Sequence, residues 1–241
     1  MVFLLPANRD SIAALQKSII RYRVDRFTLS LAAALIAVLP GVLAASPQSH
    51  ELIMQGSAQL EAGRHSEALK RFDTASRSDP TDSEAVFFQG AALNRLRQPK
   101  AANEKLQQAA RMGYRGVGLT FETGWALLRL RRWADAVEQF EYFEIVAPGR
   151  GKTSEFLGRA YLALGDFAGA EAKLREAVER DPRVKPTVLV YLAVLEDKRG
   201  HPQQARQYLE TIIRDAPSSP IARAVAGQLK TGSFPAKKVS K

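Results

Sequence analysis

Alanines at Ala68, Ala102, Ala136, Ala170 and Ala205 stand 34, 34, 34 and 35 residues apart. Gly56, Gly90, Gly124 and Gly158 recur every 34 residues, and Phe72, Leu106, Phe140, Leu174 and Leu209 keep the same phase. Prolines close the units at Pro80, Pro148, Pro182 and Pro217, with Tyr114 where the second of the series would stand. Such a period constrains a chain more tightly than its composition does. Each unit is a small supersecondary element that cannot bury its apolar face alone, so neighbours must stack into a continuous core.

Within a unit the apolar residues fall into two stretches of helical period around a Gly or Pro break. In the fourth, Phe156, Leu157, Ala160, Tyr161 and Leu164 make one face and Ala170, Leu174, Ala177 and Val178 the opposing one. Gly158 and Ala170 are small enough to let the two helices approach closely, and Pro182 stops the second, having no amide proton to continue it. The expected architecture is all-α, with five helix pairs over 49–82, 83–116, 117–150, 151–184 and 186–217, a one-residue insertion near Arg183–Pro186 preceding the last. The segment 218–230 reads as a capping helix with Ile221, Val225 and Leu229 on its apolar face, and 231–241 as a basic disordered tail.

Lys and Arg number 35 against 25 Asp and Glu, a net charge of +10. The excess gathers at the two ends, in Arg9, Lys17, Arg21, Arg23 and Arg26 and in Lys237, Lys238 and Lys241. The repeat body carries no clustered basic stripe on one helical face, so no nucleic-acid partner is expected. The absence of cysteine excludes disulfides, thiolate metal sites, cysteine nucleophiles and a lipid-modified cysteine. Phe27 to Ala45 is uncharged and follows Arg21, Arg23 and Arg26, which should keep the N-terminus cytoplasmic while the rest crosses the membrane. Two readings of 27–45 stay open. Val42 and Ala44 suit a signal-peptidase site with Pro40 and Gly41 breaking the helix ahead of it; alternatively the stretch is an uncleaved inner-membrane anchor. Residues 1–26 form a long basic leader, and initiation at Val24 would give a conventional signal length. Either way the repeat domain is expected in the periplasm.

His50, His65 and His201 are the three imidazoles and stand without a second ligand at metal spacing. No nucleophile motif and no phosphate loop is present; Gly113, Gly116 and Gly118 follow no strand and mark the joint where the closing proline is missing. Neither an enzyme nor a cofactor is expected.

The fourth unit carries Leu157-Gly158, Tyr161, Gly165-Asp166-Phe167, Ala170, Leu174, Ala177 and Asp181-Pro182, and the first Gly56, Gly63, Ala68, Phe72, Ala75 and Asp79-Pro80. On these residues the chain resembles the tetratricopeptide-repeat (TPR) family. That resemblance implies a right-handed solenoid acting as a protein-interaction scaffold, with the first helix of each unit lining a concave groove. Carried over by position, the groove residues are Phe87, Asn94 and Arg95; Phe121, Trp125, Leu128 and Arg129; and Lys152, Glu155 and Arg159, with Ile53, Ser57 and Leu60 from the first unit. Trp133 falls where the family places a structural aromatic. The Lys-Asn clamp by which some members hold a C-terminal carboxylate is absent, Ile53, Ser57, Phe87 and Ala91 standing in its places. The expected ligand is a peptide or protein of the bacterial envelope with an acidic group near Arg129 and Arg159. The alternative is a polysaccharide or peptidoglycan held by Trp125 and Phe121 beside Asn94, Arg129 and Glu155.

Overall fold

The computed structural model describes residues 46–231; the basic leader, the stretch 27–45 and residues 232–241 lie outside the described residues. The described chain is helical throughout, with eleven α-helices in antiparallel sequence: α1 Pro47–Glu61, α2 His65–Ser78, α3 Ser83–Arg95, α4 Pro99–Arg111, α5 Gly118–Arg129, α6 Trp133–Val146, α7 Gly151–Leu164, α8 Phe167–Arg180, α9 Lys185–Lys198, α10 Pro202–Asp215 and α11 Pro220–Lys230. The odd residue before the fifth unit is absorbed by a short 3-10 turn, Pro182–Val184. Consecutive helices pack on one another, and α1, α3, α5, α7 and α9 also touch in succession. The first helices therefore form an inner row, and the second helices stand outside it.

What sets the spacing inside each of the first four pairs is the meeting of a glycine with a large residue one helix away. A Cβ at Gly158 would stand 2.7 Å from Leu174 Cγ and 3.1 Å from the Ala170 carbonyl oxygen. Gly90 faces Leu106 and Ala102 in the same way, Gly56 the Phe72 ring and Gly124 the Phe140 ring. The phased alanines and the phased Phe or Leu residues are all buried. The fifth pair, with Ala193 at the glycine position, holds Ala193 and Leu209 buried together. At the open end of the stack Ala222 and Val225 of α11 close over the same cluster, with Ile221 and Leu229 beside them.

Several helix starts are capped by the residues that the sequence offers. Asp82 accepts from the amides of Glu84 and Ala85, Asp166 from that of Gly169, and Ser219 from that of Ala222. The turn inside every pair is one motif repeated: the amide at the αL residue reaches back three residues, and the next amide five. Gly63, Gly165 and Gly200 take the left-handed conformation in three of these turns. In the other two the residue is an arginine, Arg97 at φ 60° and Arg131 at φ 61°.

A left-handed conformation costs a residue with a Cβ about 1–2 kcal/mol, and glycine's freedom in the unfolded chain returns about half of that. Arg97→Gly is therefore expected to raise stability by about 0.5–1 kcal/mol. Gly158→Ala is expected to do the opposite. Alanine's helix preference adds about 1 kcal/mol, but overpacking against a backbone oxygen that cannot retract costs about 1–3 kcal/mol. Chemical denaturation of the two variants checks both signs.

Candidate binding groove

The first-helix positions divide into those that face out of the inner row and those wedged between its helices. The fifth position holds Ile53, Phe87, Phe121, Glu155 and Val190; the sixth Met54, Phe88, Glu122, Phe156 and Tyr191; the twelfth Leu60, Asn94, Leu128, Leu162 and Asp197. Asn94, Glu122 and Glu155 are thus polar residues at largely apolar positions, and all three are buried. This corrects the expectation that Asn94 and Glu155 line an open surface.

The burial of Asn94 and Glu122 is compensated by a network that ties α3 to α5. The Asn94 amide donates to the Glu122 carboxylate and to the Glu122 main-chain oxygen, both at 2.8 Å. Arg95 donates to both carboxylate oxygens of Glu122, at 3.1 and 2.9 Å. The Arg95 guanidinium also lies over Trp125, 4.2 Å from the ring centroid. Glu122 is the residue that the position-by-position reading missed. Its signal was available: an ionisable residue at a position that the other units fill with Met, Phe, Phe and Tyr.

The aromatics serve packing as well. Phe87 is buried under Tyr114, the two rings stacked at 4.4 Å, so it does not present itself to the groove. Tyr114, standing in for the missing proline, is thereby half-buried, and this burial, with Glu84 nearby, pushes its hydroxyl pKa up to about 12. Phe121 is half-buried against Phe140, Phe143 and Phe156. Trp125 is half-buried and stacks on Phe156 with centroids 5.7 Å apart. Trp133 opens α6 and packs against the cluster around Phe140 and Leu157. Ile53 and Leu128 are buried; Ser57 and Leu60 are half-buried.

Four expected groove residues, Arg95, Arg129, Lys152 and Arg159, bring cationic groups to the surface. Lys152 Nζ donates to Glu155 Oε2 at 2.7 Å. Arg159 lies over the rings of Phe156 and Tyr191, at 5.3 and 5.0 Å, and its ion pair to Glu155 is 3.6 Å long, beyond hydrogen-bond distance. Arg129 is the unusual one. Its Nε is shielded from solvent with no hydrogen-bond partner among the described residues. Its pKa is lowered by burial first and then by the charges of Arg97 and Arg159. A carbohydrate site would need Trp125 open beside Asn94 and Glu155. Here Trp125 is engaged by Arg95 and Phe156, and both polar residues are inside.

Tetratricopeptide-repeat models match residues 53–113, 92–151, 121–185 and 161–229, one overlapping run through all five helix pairs. The chain belongs to the tetratricopeptide-repeat family. Solved TPR structures share the fold at low identity. MamA from Desulfovibrio magneticus RS-1, residues 41 to the end, is 18% identical with a TM-score of 0.60, covering 73% of this chain and 99% of that one. TTC0263, a thermophilic TPR protein in Thermus thermophilus, is 22% identical with a TM-score of 0.60, covering 75% and 98%. YrrB, described as a TPR protein with an unusual peptide-binding site, is 17% identical with a TM-score of 0.57, covering 76% and 92%. Curated proteins gave no match. As a TPR solenoid, the chain has the fold of a protein-interaction scaffold.

Glu122 now becomes the residue on which the α3–α5 joint is expected to turn. Removing its carboxylate takes away one of the two acceptors of the buried Asn94 amide and both of those of the partly buried Arg95 guanidinium, so Glu122→Ala should cost about 2–4 kcal/mol. Glu122→Gln, which keeps the shape and an acceptor, should cost less. Urea titration followed by Trp125 fluorescence compares the two, Trp125 being beside the joint.

Proposed function

We propose that the protein is an envelope scaffold whose inner row of first helices binds an acidic segment of a protein partner. The observation that carries this is the guanidinium group of Arg129 with Arg97 and Arg159 beside it. Arg129 is partly buried and feels the charges of Arg97 and Arg159, and its Nε has no hydrogen-bond partner among the described residues. Paired carboxylates from a ligand would relieve the repulsion and satisfy planar donors in geometries that arginine favours. Of the three, Arg159 is held over Phe156, which in turn stacks on Trp125. YrrB's peptide site is an instance of the same architecture used for peptide recognition.

The envelope setting rests on the sequence of residues 1–45, where an uncharged stretch follows Arg21, Arg23 and Arg26. Among the described residues no helix is long and apolar enough to cross a membrane. Export would leave the TPR domain in the periplasm, released or held at the inner membrane according to whether 27–45 is cleaved.

Cross-linking in cells followed by affinity capture tests the reading with the full chain. The wild type is expected to bring down an envelope protein that the double variant Arg97→Glu/Arg129→Glu loses, with circular dichroism unchanged. Capture that survives the double charge reversal would place the partner on another surface.

A further inference from the structure

The inner row has a pocket at its C-terminal half, between the third, fourth and fifth units. Its volume is about 290 Å³. Leu128, Leu162 and Val194, one from each of α5, α7 and α9, make the floor, and Trp133 and Tyr191 stand at its sides. The repeat itself explains why there is a space here. The thirteenth position of the unit carries the long side chains of Glu61, Arg95, Arg129 and Lys198 in four units; in the fourth unit it is Ala163. The small side chain leaves an opening there; the floor residues are themselves nearly buried, and the accessible apolar surface comes from the half-buried Trp133 and Tyr191.

The rim is cationic. Arg131, Arg159 and Lys198 line the same pocket. Arg131 does so from a left-handed backbone, at a turn position that three other units give to glycine. Backbone strain kept in a residue with a long charged side chain is a sign of a role beyond folding. Arg159 is fixed between the Phe156 and Tyr191 rings.

Resting on the groove reading above, we propose that this pocket takes a single bulky apolar side chain of the partner, flanked within a few residues by aspartate or glutamate. An apolar floor without polar acceptors rewards an aliphatic or aromatic anchor, and the ring of cations selects carboxylates on either side of it and rejects basic neighbours. Anchor in a pocket with charges at the rim is the usual division of labour in a binding hot spot. The Arg97–Arg129–Arg159 cluster and the pocket share Arg159, so one extended segment can engage both.

A random peptide library displayed on phage, selected against the full chain, tests this. The expected consensus is one Leu, Ile, Phe, Met or Trp with acidic residues within three positions of it. Two variants then separate the claims. Ala163→Trp fills the pocket from an exposed position and should weaken the selected peptides about tenfold or more. Arg131→Gly should weaken them while raising the stability of the free protein, opposite signs that a merely structural arginine would not give. Peptides that lose binding in Arg129→Glu but not in Ala163→Trp would overturn the pocket and leave the groove standing. Peptides insensitive to both, peptides without acidic residues, or no enrichment over a bare support would overturn the proposal.

Discussion

The close approach of the two helices in each unit sets everything that follows. A glycine with a leucine or phenylalanine less than 3 Å from where its Cβ would be fixes the distance and the rotation of the pair. Because the same meeting recurs from unit to unit, each pair has the same shape, and stacking such pairs puts every first helix against the next. Only then does a continuous inner row exist. The groove is a consequence of a helix-packing constraint, and its side chains are whatever the first helices carry outside that constraint.

That order of causes explains which features could be read from the sequence. The five helix pairs, the residues at each close contact and the α11 cap on Ile221, Val225 and Leu229 were legible, since small and large apolar residues at fixed spacing leave few ways to pack. The groove was legible in part. Lys152, Arg129 and Arg159 bring charge to the surface as their positions imply. Asn94 and Glu155 do not, because their positions are apolar in the neighbouring units and the fold buries whatever stands there. Phe87 was unreadable for a different reason: its cover, Tyr114, comes from a joint whose usual proline is missing. Compared across the five units, Asn94, Glu122 and Glu155 stand out as buried polar residues, the first two bonded to each other and Glu155 to Lys152.

The inner row therefore uses its charges in two ways. Arg95 is spent on cohesion, pairing with Glu122 and covering Trp125. Arg97 and Arg131 hold left-handed turn positions, and Arg129, beside the second of these turns, feels the charges of Arg97 and Arg159. Units one, four and five show that the fold itself asks only for glycine in those turns. Under the proposed function, two adjacent turns give up stability for guanidinium groups that would receive carboxylates.

Arginine side-chain NMR gives the most direct test of that claim. Nε–H resonances would be followed while the full chain is titrated with hexaglutamate at low salt. The account predicts that the Arg129 resonance shifts and saturates, with Arg97 and Arg159 moving in step and hexalysine leaving them unchanged. Small unsaturating shifts spread equally over Arg206 and Arg223, on α10 and α11, would contradict it.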